Sequence, residues 1–186
     1  MGYTNFTCDS VKWGNSHEAA ACRFYVKDSL SKHPGISVKE YGFKLNPKFP
    51  HLGSSPDGLV HCSHCEDSNG ILEIKCPYKY RTMSPMLAGK CRDFFCTECD
   101  GQLLLKRSHS YYYQVQGQLT VSQYKWRDFY VWTLEGRSVE CLVSFYIKFW
   151  ESMATKLNEF YLHAIVPEIF TRRIKRGKDL KPLVDA

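Results

Sequence analysis

Two short segments hold acidic and basic side chains at a spacing that can do hydrolytic chemistry: S-S-P-D-G-L-V at 54–60 and G-I-L-E-I-K-C-P at 70–77. In an extended strand successive side chains point to opposite faces, so Glu73 and Lys75 share one face while Leu72 and Ile74 take the other. If the two segments pair antiparallel, Asp57 lies across from Glu73 and Lys75, and two carboxylates converge beside one ammonium. Such a group suits a hard divalent cation, Mg2+ or Mn2+, which takes few protein oxygens, keeps several waters and completes its shell with a phosphate. Lys75 would then orient or deprotonate an attacking water and stabilise charge on the phosphoryl oxygens. The same letters also fit a plain surface, with Asp57 as the turn residue of Pro-Asp-Gly and Glu73 with Lys75 as an exposed ion pair.

Other residues extend the set. The stretch W-G-N-S-H-E at 13–18 places Glu18 two residues after Ser16, a candidate helix N-cap, where its charge could also simply complement the helix terminus. In Y-Y-Y-Q-V-Q-G-Q-L at 111–119, helical spacing puts Gln114 and Gln118 on one face with Tyr111, and Tyr112, Val115 and Leu119 on a separate apolar stripe. Gln114 also fits an ordinary exposed polar face. The nine cysteines include two C-x-x-C pairs, Cys62 with Cys65 and Cys96 with Cys99, which together have the spacing of a tetrahedral structural Zn2+ site. Cys91, His61 and His64 are spare ligands, and reduced thiols without metal are the alternative reading. Cys76 follows Lys75 on the opposite strand face, where burial is expected.

The elements that must position these residues read as α, β-meander, α, β, β, α. A helix is expected over 16–31, a strand over 36–43, an irregular loop around Asn46, Pro47 and Pro50, and strands near 57–62 and 70–75 joined as a hairpin. A second helix is expected over 109–122. Strands follow at W-R-D-F-Y-V-W-T-L and S-V-E-C-L-V-S-F, joined by a turn at 135–137, and then a helix over 145–165 that uses Phe149, Met153, Leu157, Phe160 and Ile165. One α/β domain over 1–171 follows, with a cysteine-containing insertion at about 79–108 and a basic segment at 172–186. Hydrophobic residues at 44% and aromatics at 15% are too abundant for a disordered chain. Lys and Arg total 25 against 19 for Asp and Glu, a net charge of +6 compatible with a polyanionic partner. Six cations against Asp179 alone in RRIKRGKDLK could dock phosphates, serve nuclear import or form a solvated tail. Neither a leader segment nor a membrane-length apolar run is present, so the expectation is an intracellular protein, nuclear in a nucleated host, without membrane contact.

The ordered set W-G-x-x-x-E, S-P-D-G-L, L-E-I-K-C-P and Y-x-x-Q-V-Q resembles the lambda exonuclease family, the YqaJ-type viral recombinases, within the PD-(D/E)XK nuclease fold. The resemblance spans about 13–122. It implies a central mixed sheet flanked by helices and a Mg2+-dependent enzyme that digests one strand of duplex DNA from the 5′ end, leaving a 3′ tail for recombination. By motif position it makes Asp57, Glu73 and the backbone carbonyl of Ile74 metal ligands and Lys75 the catalytic lysine. Glu18 would support a second metal or its water, and Gln114 would position water or phosphate, with Gln118 a weaker candidate. The implied partners are duplex DNA with a free end, a single-strand annealing or recombination protein, and further copies of the chain. The rival readings are a structure-selective endonuclease with the same site and a non-catalytic DNA- or protein-binding module.

Overall fold

A run of good helix formers, E-A-A-A-C-R-F, lies inside the first helix, α1, which spans Asp9–Ser29 in a computed structural model that describes residues 7–137 and 141–180. The helix begins a full seven residues before the expected start at Ser16, with Asp9 in its first turn, where a negative charge is favoured. Ser16 is therefore no cap: its hydroxyl donates to the Trp13 carbonyl at 3.0 Å from within the helix. Ala21, Tyr25 and Ser29, one helical turn apart, are the buried face. Ala21 and Tyr25 pack in a core with Ile36, just before β1, and with Val60, Leu72, Ile74, Tyr130 and Trp132 from the sheet.

The sheet is built from β1 (Ser37–Lys39), β4 (Gly58–His61), β5 (Asn69–Lys75), β8 (Trp126–Thr133) and β10 (Cys141–Ser144), in that spatial order, with β9 (Gly136–Arg137) also on β8. β1, β4 and β5 are antiparallel neighbours, β5 and β8 run parallel, and β8 and β10 are antiparallel. The α/β mixed sheet and the hairpin carrying Asp57 and Glu73 match the sequence reading. The parallel step from β5 to β8 requires a long crossover. It contains α2 (Pro85–Ala88), the hairpin of β6 (Cys96–Cys99) and β7 (Gln102–Leu105), and α3 (Ser110–Ser122). The expected insertion is thus structured.

Two segments differ from expectation. The strand expected over 36–43 stops at Lys39, and Gly42 adopts a φ of +68 that a continuing strand does not allow. The expected loop around Pro47 and Pro50 is instead a hairpin of β2 (Lys44–Asn46) and β3 (Phe49–Ser54), a two-stranded edge element that tolerates a proline. Asn46 is buried, accepts from the amides of Lys48 and Phe49, and donates to the Thr120 carbonyl of α3 at 2.7 Å, so it ties the hairpin to that helix. Residues 138–140 of the last expected strand lie outside the described residues.

The units Thr7–Phe145 and the segment from Tyr146 onward are separately compact. In the latter, α4 (Ile147–Phe160) continues through a π-turn at Tyr161–Ile165 into α5 (Val166–Thr171), with Pro167 in the first turn of α5. Trp150, Met153, Ala164 and Glu168 are its buried positions, while Phe160, expected to face inward, is exposed. Beyond it, 172–180 curls through a 3-10 turn, with Glu168 accepting from the Ile174 amide and Arg173 donating to the Asp179 carbonyl.

Gly70 of β5 lies under the Trp126 indole, where an added Cβ would come within 2.4 Å of ring atoms. Gly70→Ala should cost about 1–3 kcal/mol in urea unfolding, since the rigid ring must move. Gly14, mid-helix with nothing within 4 Å of an added Cβ, should give a gain of about 0.5–1 kcal/mol as Gly14→Ala.

Candidate active site

Strand β4 ends where the site begins. Its register stops at Gly58 opposite Leu72, and the preceding Asp57 amide donates to the Leu72 carbonyl at 3.0 Å. Gly58 permits the close approach of β1, because a Cβ there would meet the Val38 side chain at 2.4 Å. Two residues further along β5, the Asp57 side chain replaces a strand partner: Oδ2 accepts from the Ile74 amide at 2.6 Å. Within a strand the amide and carbonyl of one residue point to the same side, so the Ile74 carbonyl is also directed toward Asp57.

Glu73 projects on the same face and is 1% exposed, which rules out the exposed ion pair considered from sequence. A buried carboxylate must be compensated, and four side chains do so. Lys75 Nζ lies 2.5 Å from Oε1 and Gln114 Nε2 donates to Oε1 at 2.7 Å. Gln118 Nε2 donates to Oε2 at 3.0 Å, and Arg127 Nη2 is 3.0 Å from the same oxygen. The Gln114 and Gln118 spacing on α3 thus delivers one amide to each oxygen. Tyr111, on the same helix face, places its ring 4.7 Å from Lys75 Nζ. Phe95 of the crossover supports that ring at 5.1 Å and packs on Phe129 of β8 at 5.7 Å.

Sequence reasoning missed Arg127. It is fully buried on β8, and its guanidinium nitrogens have no partner in hydrogen-bond geometry among the described residues. Desolvation lowers its pKa to about 10 despite the Glu73 charge. The legible signal was Arg127-Asp128 inside a strand otherwise made of Trp, Phe, Tyr and Val, since charges in such a strand need partners. Asp128 has one in Tyr25, whose hydroxyl donates to Oδ2 at 2.5 Å.

Burial, followed by the Glu73 charge, pushes the Asp57 carboxyl up to about 7 against the lowering effect of the Ile74 amide. Glu18 adds to that rise from an exposed position in the middle of α1, far from the helix terminus that would have explained its charge. Glu18, Asp57 and Glu73 do not bring oxygens within 4.8 Å of one another, so their convergence is looser than a closed ligand shell. The donors are all hard oxygens, and a cation between Asp57 and Glu73 would remove the repulsion that raises Asp57. The residues fit a divalent ion of the Mg2+ type. Cys76, half-buried, has its thiol pushed up to about 12, chiefly by burial, and behaves as an inert neighbour.

The two C-x-x-C pairs do not form one cluster among the described residues. Cys62 and Cys65 group with His33, whereas Cys96 and Cys99 sit at the ends of β6 in a separate hairpin.

A family model described as the YqaJ-like viral recombinase domain matches residues 3–125. The chain belongs to this family. The YqaJ-like match includes Glu18, Asp57, Glu73, Lys75, Gln114 and Gln118 and ends two residues before Arg127. No significant match arises among curated proteins. The fold is similar to that of LHK-Exo in complex with dAMP, with a TM-score of 0.67 at 20% identity over 95% of this chain and 78% of that one. It is also similar to LHK-Exo described as an alkaline exonuclease from Laribacter hongkongensis, with a TM-score of 0.65 at 20% identity over 94% and 77%. These likenesses show that the YqaJ-like chain shares the α/β fold of those structures, a central mixed sheet flanked by helices.

In the metal-free YqaJ-like domain the folded state holds the Asp57 proton more tightly than an unfolded chain, whose aspartate titrates near 3.8. Stability is therefore lost as pH rises from about 4 to about 7, and wild type should fall relative to Asp57→Asn across that window. Urea unfolding of both proteins at stepped pH measures the difference, and added Mg2+ or Mn2+ should reduce it. A difference that stays flat with pH in chelator would contradict this electrostatic picture.

Proposed function

We propose that this protein is a divalent-metal-dependent DNA exonuclease that resects one strand of a duplex from its 5′ end and leaves a 3′ tail for recombination. The observation that carries this reading is the Asp57 carboxylate facing a buried Glu73 whose oxygens are shared by Lys75, Gln114, Gln118 and Arg127. Membership of the YqaJ-like family and the likeness in fold to an alkaline exonuclease support the choice of DNA and of end-directed digestion.

Asp57, Glu73 and the Ile74 carbonyl would hold the cation, with Glu18 toward a second position. Bound there, the cation supplies Lewis-acid polarisation of the phosphodiester and neutralises charge. Glu73 Oε1 is the oxygen open to it, because its donors Lys75 and Gln114 are more exposed than Gln118 and Arg127 on Oε2. Releasing Lys75 from Oε1 frees its ammonium to orient the attacking water and to meet negative charge developing on the phosphoryl oxygens. Tyr111 keeps that ammonium over its ring at the mouth of the site. Gln114, at the rim, positions water or phosphate, while Gln118 and Arg127 hold Glu73 from below. Contacts to phosphate rather than to base edges suit an enzyme that must pass over every sequence.

The test is digestion of linear duplex DNA labelled at either 5′ or 3′ ends, beside a covalently closed circle, with Mg2+ or Mn2+. Wild type should release 5′-terminal nucleotides first and leave the circle intact. Lys75→Ala and Glu73→Gln should each lower the rate by at least about 100-fold. Equal digestion by Lys75→Ala would overturn the site, and cleavage of the circle would make the enzyme an endonuclease.

A further inference from the structure

We infer that His33, Cys62 and Cys65 form a zinc site that clamps the turn after α1 to the β4–β5 hairpin. One ligand atom from each residue lies within 4.8 Å of the other two. His33 Nδ1 is 3.2 Å from Cys65 Sγ and 3.9 Å from Cys62 Sγ. For tetrahedral zinc, with Zn–S about 2.3 Å and Zn–N about 2.0–2.1 Å, the expected N-to-S separation is about 3.6 Å, midway between the two. Each of the two N-to-S distances is within a few tenths of an ångström of that value.

The backbone holds the three residues ready. The Cys62 amide donates to the Ser68 carbonyl at 2.8 Å and the Cys65 amide to the Cys62 carbonyl at 3.4 Å, which folds 62–68 into a knuckle. The His33 amide donates to the Ser29 carbonyl at 2.8 Å, and the Ile36 amide to the His33 carbonyl at 3.1 Å, fixing the turn from α1 into β1. Cys62 is 1% exposed, His33 and Cys65 half-buried. Zinc binding releases the two thiol protons to solvent, so the site holds Zn2+, two thiolates and a neutral imidazole, with no net charge to bury. The three residues line a cavity of about 470 Å3 together with Asp67 and Asp128, from which a fourth ligand would complete the tetrahedron.

The clamp has a mechanical consequence. Glu18 rides on α1, while Asp57 and Glu73 belong to the β4–β5 hairpin, and among the described residues no hydrogen bond joins Glu18 to either carboxylate. A covalent-strength link at the far end of both elements fixes their relative position without occupying the site itself.

Metal analysis of the purified full chain should find about one zinc per chain. Cys62→Ser combined with Cys65→Ser should abolish it, and Cys96→Ser combined with Cys99→Ser should leave it unchanged. Independently of any variant, wild-type protein stripped with chelator and titrated with Co2+ should show thiolate charge-transfer bands and the intense visible bands of tetrahedral cobalt. Added zinc should then protect Cys62 and Cys65 from alkylation, read by mass spectrometry. Protection of Cys96 and Cys99 instead, zinc retained by the Cys62/Cys65 double variant, or a Cys62–Cys65 disulfide under reducing purification would each overturn the inference. None of these readouts depends on DNA cleavage, so their failure leaves the proposed nuclease intact.

Discussion

A single buried negative charge organises the catalytic unit. Glu73 sits in the centre of a sheet with almost no access to water, and an uncompensated carboxylate there costs several kcal/mol. Four side chains from three elements answer it: Lys75 from β5 itself, Gln114 and Gln118 from α3, and Arg127 from β8. Each has to be in place for the charge to be tolerated, so the carboxylate fixes the rotation of α3 and the register of β8 against β5. Arg127 is itself costly to bury and has no hydrogen bond of good geometry among the described residues, so what it supplies is charge. That leaves the other oxygen with the more exposed donors, Lys75 and Gln114.

The early end of β4 is the second half of the design. Had that strand continued, it would have covered the edge of β5 at Ile74 with another backbone. Instead the Asp57 carboxylate takes the Ile74 amide, and strand geometry turns the Ile74 carbonyl to the same side. A side chain where a strand partner would be expected turns a sheet edge into a cluster of oxygens. Burial first and the neighbouring Glu73 charge second raise the Asp57 pKa, and the charge repulsion is what a divalent cation would relieve. The crossover contributes from outside: Phe95 supports Tyr111, and Tyr111 supports Lys75.

Much of this was legible in the sequence because it rests on short-range periodicity. Strand alternation placed Glu73 with Lys75, helix periodicity placed Gln114 with Gln118 and Tyr111, and the turn residues between 62 and 69 announced the hairpin. Non-local facts were not legible. Arg127 needs the parallel pairing of β5 with β8, which no local pattern encodes. The partner of the Cys62–Cys65 knuckle lies 29 residues upstream at His33, which a search for a second C-x-x-C passes over. The β2–β3 hairpin was hidden by Pro47 and Pro50, residues that exclude a central strand but are tolerated at an edge. The start of α1 was misplaced because Ser16 is a good cap by type, although the helix before it needs none.

Joint ligation of one divalent cation by Asp57 and Glu73 beside Lys75 can be seen by diffraction from crystals soaked in Mn2+ and collected for anomalous signal. A manganese peak is expected in inner-sphere contact with both carboxylates and the Ile74 carbonyl, with the Lys75 ammonium displaced from Glu73. Manganese bound only elsewhere, with Lys75 still seated on Glu73 and the Asp57 carboxylate still on the Ile74 amide, would contradict it.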